Sequence, residues 1–223
     1  MDNRSAFTVN DYYENVRRVI PFYDVIHDQI VSLIKTCFGE RPVSLLDTGC
    51  GTGSLELKLC KNLNLSELVL CDPSEKMLAS AKERLQGIPC EFFCRGSEQL
   101  EFRNSFDVVT AVQSHHYFDR AAREKAVSNC FGALKSGGMF ICFENTAPFS
   151  EVGKRLMLSR LESFELLSGR THEEVKAHSA RYGTEFFPLS IKEHLELLKK
   201  TGFSVYELFW HSYMQSGFYG IKP

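Results

Sequence analysis

Eleven consecutive residues constrain this chain more than any others: Val43-Ser44-Leu45-Leu46-Asp47-Thr48-Gly49-Cys50-Gly51-Thr52-Gly53. A short apolar run closes on an acid, and glycine then occupies every second position. Leu55, Leu57, Leu59 and Leu63 follow at once, with a helix-like apolar pattern. The reading is strand, tight loop and helix N-terminus, where backbone N–H groups and the helix dipole meet a ligand. A phosphate-binding P-loop needs Gly-Lys-Ser/Thr, and Thr52-Gly53-Ser54 has no lysine. The dinucleotide fingerprint G-x-G-x-x-G needs glycine where Ser54 stands. An acid followed by G-x-G-x-G remains.

A second apolar run, Leu68-Val69-Leu70-Cys71, ends in Asp72, 25 positions after Asp47. In a doubly wound sheet the acid ending the second strand points at the ribose of a cofactor held on the first loop. A carboxylate there accepts from two ribose hydroxyls. Asp72-Pro73-Ser74 also suits a plain turn, and Ser74 suits the N-cap of a helix closed by Gly87. Further on, Leu134-Lys135-Ser136-Gly137-Gly138 turns a helix into an apolar strand.

With the loop, the second acid and this Leu-Lys-Ser-Gly-Gly passage, the chain resembles the class I methyltransferases that use S-adenosylmethionine (SAM). The likeness extends over most of the chain. Within that group it resembles the ubiquinone/menaquinone-biosynthesis type. It also resembles the tRNA wobble-uridine group, which uses SAM or carboxy-SAM, in Ile20-Pro21-Phe22-Tyr23-Asp24 and His115-His116. The resemblance implies that Asp47, Gly49, Cys50 and Gly51 hold the amino-acid end of SAM, with Asp72 and Pro73 at the ribose. It implies Met77 against the adenine face and Gly96, Ser97 and Glu98 at the adenine edge. Relatives carry an acid directly after the glycine, where this chain has Ser97 and then Glu98. A segment like residues 1–40 closes over SAM in such enzymes, which makes Tyr13, Arg18 and Tyr23 candidates for the cofactor.

The fourth strand, Phe106 to Val112, runs into Gln113-Ser114-His115-His116-Tyr117. Ligands of open α/β sheets sit outside the strand carboxyl ends, so this tip is expected to face the transferred methyl. Gln113 is assigned to the cofactor, and His115, with His116 behind it, is the candidate base or acceptor-orienting group. Residues 145–189 break the alternation with two helical stretches rich in basic residues, among them Arg170, His172, His178 and Arg181. A solvated face accounts for those charges. The resemblance implies an insertion over the acceptor pocket.

The expected fold is a Rossmann-like, doubly wound α/β sheet of seven strands, mostly parallel, with an antiparallel C-terminal hairpin. An N-terminal helical flap (1–40) and a helical insertion (145–189) complete one domain over 1–223. Eight cysteines without a C-x-x-C pair read as reduced thiols, and no metal site is expected. A net charge of −2 offers no general attraction for a phosphate backbone, so a small-molecule acceptor is expected ahead of nucleic acid. No apolar run spans a membrane and the N-terminus is polar, which reads as cytoplasmic. The sequence does not give the oligomeric state, and a homodimer is one option. The expected activity is methyl transfer from SAM, leaving S-adenosylhomocysteine (SAH). The alternatives are a carboxy-SAM-type or tRNA-modifying enzyme of this fold, and a non-catalytic SAM-binding module.

Overall fold

The computed structural model describes residues 9–223. Five strands run parallel: β1 (Val43–Thr48), β2 (Leu65–Cys71), β3 (Glu91–Phe93), β4 (Phe106–Val112) and β5 (Leu134–Ala147). β6 (Leu189–Ser190) adds two residues beside the end of β5, while β7 (Val205–Ser212) and β8 (Gln215–Ile221) form an antiparallel hairpin. The order across the sheet is β3-β2-β1-β4-β5-β8-β7. This is the expected seven-stranded path, with β6 as the one strand beyond it.

Every residue of β1 is buried, as a strand covered on both faces must be. Alternation then divides the core. Leu45, Leu70, Val108 and Ile141 face α2 (Tyr23–Phe38), α3 (Ser54–Asn62) and α4 (Glu75–Arg84). Leu46, Val69, Val109 and Phe140 face α5 (Arg120–Ala133) and α8 (Ile191–Thr201). The chain winds outward from β1 through β2 to β3, then returns to β4 on the other side. The crevice this reversal opens lies outside the carboxyl ends of β1 and β4.

The sequence places a turn at Lys135–Gly138, but those residues form an irregularity within β5. Phe106 pairs with Leu134, and the next pair is Val108 with Met139. Gly138 is obligatory there, since a Cβ would lie 2.8 Å from the Lys135 carbonyl oxygen.

Two helical pieces roof the crevice. α1 (Val9–Val19) stops before Pro21, and Phe22 takes a left-handed φ of 61° to restart the chain as α2. Arg17 spans the break with two bonds to Asp24, at 2.8 and 2.7 Å. The insertion consists of α6 (Glu151–Leu167) and α7 (His172–Ser179), and α6 packs on α1. Thr171-x-x-Glu174 and Ser190-x-x-Glu193 carry the capping-box pattern, and both boxes form.

Candidate functional site

The glycine loop is held from beneath by β2. Gly49 and Cys50 donate to the Cys71 carbonyl at 2.6 and 3.0 Å. Gly49 and Gly51 have left-handed φ values of 84° and 56°, where a side chain costs about 1–2 kcal/mol. Gly49 also has no room, because a Cβ would sit 2.6 Å from the Cβ of Ser114 at the β4 tip. Gly51 has nothing within 4 Å of that position and lines the cavity above.

That cavity has a volume of about 290 Å³. Its floor comes from Gly49, Gly51, Asp72, Pro73, Met77 and Gln113. Asp72 has one carboxylate oxygen 2.9 Å from the Gly51 N–H and the other 2.9 Å from the Ser74 N–H. Ser74 in turn caps α4 through the Met77 N–H. Gly96, Ser97 and Glu98 close one end. The Glu98 side chain folds back over Gly96, and its Oε2 is buried with no hydrogen-bond donor. An exocyclic amino group satisfies such an oxygen, so the set of Gly51, Asp72 and Glu98 fits an adenosine-bearing ligand.

Other candidates lie elsewhere. Asp47 does not line the cavity. Its carboxyl is buried, accepts the Thr110 hydroxyl and faces Glu56 of α3. Neither Glu56 oxygen meets a donor. Two carboxyls bond each other only while one keeps its proton. Burial raises the pKa of Asp47, and burial together with the Asp47 charge raises Glu56 well above the carboxylate range. Cys50 is buried under the loop, where burial pushes its thiol well up. Tyr23 packs on His27 at 4.6 Å between ring centres and bonds Ser54, behind the loop. Arg18 is exposed and off the cavity, and the Tyr13 side chain lies outside the described residues.

The histidines divide. His115 turns inward: its Nε2 lies 3.0 Å from Ser97 Oγ and its ring stacks on Phe140. Burial lowers its pKa to about 4 despite the neighbouring Glu144. It therefore stands behind the cavity as a neutral ring. His116 lines the cavity, with its Nδ1 2.8 Å from Glu144. Beside it, an amide chain runs from Gln113 to Gln215 to Asn145, joining the tips of β4, β8 and β5 along the cavity wall.

The roof supplies side chains that the sequence did not assign individually to a ligand. Tyr12 shares the helical face of Val16 and Val19, and that spacing was a usable signal. His178, Arg181, Tyr182 and Phe186 of the insertion also line the cavity. Arg181 bonds Glu185 at 2.8 Å and the Tyr117 phenol. Burial raises the Tyr117 pKa while the Arg181 charge opposes the shift.

A parallel sheet with this switch point, a cofactor-shaped floor and a helical roof define the class I methyltransferase architecture. Residues 45–138 match the family described as "Methyltransferase domain". The carboxy-S-adenosyl-L-methionine synthase of Staphylococcus epidermidis is 28% identical over 202 residues, which is 90% of this chain and 87% of that protein. The enzyme of the same name from Pseudoalteromonas translucida is 23% identical over 96% of this chain and 90% of its own. Among solved structures, the magnesium protoporphyrin IX methyltransferase of Synechocystis PCC 6803 with bound SAH superposes with a TM-score of 0.67 at 17% identity. That superposition covers 93% of this chain and 86% of that one. The family match, the relatives and the fold together support a class I SAM-dependent methyltransferase. The Synechocystis enzyme has also been crystallised with bound SAM. Among the described residues, no helix is long and apolar enough to cross a membrane, and no group of three or more potential ligands could hold a metal.

Proposed function

We propose that this enzyme acts on a small, anionic second substrate, recognised by Arg181. The observation that carries the reading is the makeup of the cavity away from the adenosine end. There the insertion and the β4 tip present Arg181, Tyr182, Tyr117, His116 and His178. The acids lining the cavity, Asp72 and Glu98, both belong to the adenosine end. A guanidinium among phenols and imidazoles suits a carboxylate or another oxyanion. A cavity of this size under a roof of α1 and the insertion favours a small molecule over nucleic acid.

When bound, SAM supplies an electrophilic methyl on a sulfonium. For the chain's own residues we assign Asp72 to the ribose hydroxyls, Glu98 to the adenine amino group and Gly51 to close backbone approach. Pro73, Met77, Gly96, Ser97 and Gln113 complete that half. The roof excludes water and brings the reacting atoms together, about 3–3.5 Å apart in a productive pose. The described residues work as one unit, since flap, sheet tips and insertion all line this cavity. Eight free cysteines suit a reducing compartment, which supports a cytoplasmic placement.

A second reading, formation or use of carboxy-SAM, is favoured by the names of the relatives and by the same arginine, since that ligand carries an added carboxylate. One experiment separates the two: mass spectrometry of ligand released from freshly purified protein. SAM or SAH together with an anionic small molecule supports methyl transfer. An ion heavier than SAM by one carbon dioxide supports carboxy-SAM. A nicotinamide cofactor would overturn both.

A further inference from the structure

Two imidazoles line the second-substrate half of the cavity, and each is held by a buried carboxylate. At the β4 tip, Glu144 of β5 is 1% exposed. One of its oxygens accepts the His115 N–H at 3.1 Å, and the other accepts the His116 N–H at 2.9 Å and contacts His116 Nδ1 at 2.8 Å. In the insertion, Glu165 of α6 is fully buried. It contacts His178 Nδ1 at 2.7 Å and pairs with Arg170. The two rings approach Phe186 at 6.0 and 6.1 Å between centres. Among the described residues, neither Nε2 bonds a protein group.

Glu144 accepts two backbone N–H groups and Glu165 pairs with the Arg170 guanidinium, so each carboxylate acts as an acceptor toward its imidazole. The Nδ1 facing it must carry the ring hydrogen, and a neutral ring then presents the Nε2 lone pair to the cavity. Carboxylate–histidine pairing of this kind selects one tautomer and steadies the imidazolium that forms on protonation.

We propose that His116 is the proton acceptor of the transfer step, positioned by Glu144, and that His178, positioned by Glu165, orients the same substrate by accepting a second hydrogen bond. The inference rests on the reading of a small anionic substrate and adds that its nucleophile is an O–H or N–H group. As that atom bonds the methyl carbon, its proton passes to His116 Nε2. The electron pair of the broken carbon–sulfur bond stays on sulfur, leaving neutral SAH and an imidazolium against Glu144. His115, the neighbour, takes no part, because its Nε2 is bonded to Ser97.

The test has an arm that needs no second substrate. Long-range ¹H–¹⁵N correlation of the wild-type imidazoles, at a pH where the rings are neutral, is expected to show His116 and His178 as Nδ1–H tautomers. An Nε2–H tautomer at His116 overturns the proposal. In the second arm, SAH release from SAM is measured with a protein-free small-molecule extract as the acceptor source. His116→Gln is expected to lower it by roughly 10²–10⁴ with SAM affinity unchanged by calorimetry. His178→Gln should weaken apparent acceptor affinity more than maximal rate. A loss below threefold in His116→Gln overturns the catalytic role. Extract-independent SAH release, or a carboxy-SAM product, would instead overturn the small-acceptor reading while leaving the tautomer result standing.

Discussion

Asp72 lies 21 positions beyond Gly51 and accepts its backbone N–H at 2.9 Å, so the acid assigned to the ribose also clamps the glycine loop. Its other oxygen holds the Ser74 N–H, tying the loop to the start of α4. Asp72→Ala is therefore expected to weaken SAM by one to three orders of magnitude, at about 1.4 kcal/mol per tenfold. Asp72→Asn, which keeps one accepting oxygen, should lose less. Titration calorimetry on folded protein checks this, and an unchanged dissociation constant in the alanine variant would remove Asp72 from the site.

The two loop glycines should fail differently. Gly51→Val points into open cavity, so SAM binding disappears while the melting temperature falls only by the cost of a left-handed valine. Gly49→Ala meets Ser114, so it should loosen the join between the loop and the β4 tip even without ligand. Adding Ser114→Gly to it should restore part of the loss. Melting curves with and without SAM measure both effects. An equal SAM-induced rise in Gly51→Val and wild type would show that the loop is not the site.

The Asp47–Glu56 pair makes a stability prediction whose sign follows from proton linkage. Glu56 is raised well above its ordinary 4.5 in the folded protein, so folded protein holds a proton that unfolded protein releases. That contribution is complete below the unfolded pKa and is lost as pH rises through the folded one. Glu56→Gln removes the titration and should become stabilising relative to wild type as pH increases above about 5. Scanning calorimetry from acid to alkaline pH gives the difference directly. A constant gap between the two proteins would mean the pair does not share a proton.

Arg123 is buried and bonds the carbonyls of His115 at 3.0 Å and Phe118 at 3.1 Å, and also that of Phe187. It ties the β4 tip to the exit of the insertion, and Phe187 returns a bond to the His116 carbonyl at 2.7 Å. Arg123→Met leaves these acceptors without a donor, at about 1–3 kcal/mol each. Urea unfolding should show the loss. Hydrogen exchange should show the Phe187 amide opening sooner, and unchanged protection there would refute the link.

The chain's local patterns determined the framework. The apolar runs ending in Asp47 and Asp72, the alternate glycines and the capping boxes at Thr171 and Ser190 depend on contacts within a few residues. Each therefore reads correctly from short windows. Periodicity carried the helices for the same reason, and would have carried Tyr12 had its spacing from Val16 been followed.

Tertiary structure decided which side chains reach the cavity. Asp47 and Asp72 look alike in sequence, but the first turns beneath β1 toward Glu56 and the second lines the cavity beside the loop. His115 and His116 are neighbours, and their directions follow from Gln113 at a left-handed φ of 54° and from Glu144, 28 positions beyond His116. Arg181 and His178 read as solvated charges because most residues from Arg170 to Glu185 are polar or charged. Folding the insertion over the sheet tips puts them on the cavity wall. Local propensity cannot report such placements, because they arise from pairings between residues far apart along the chain.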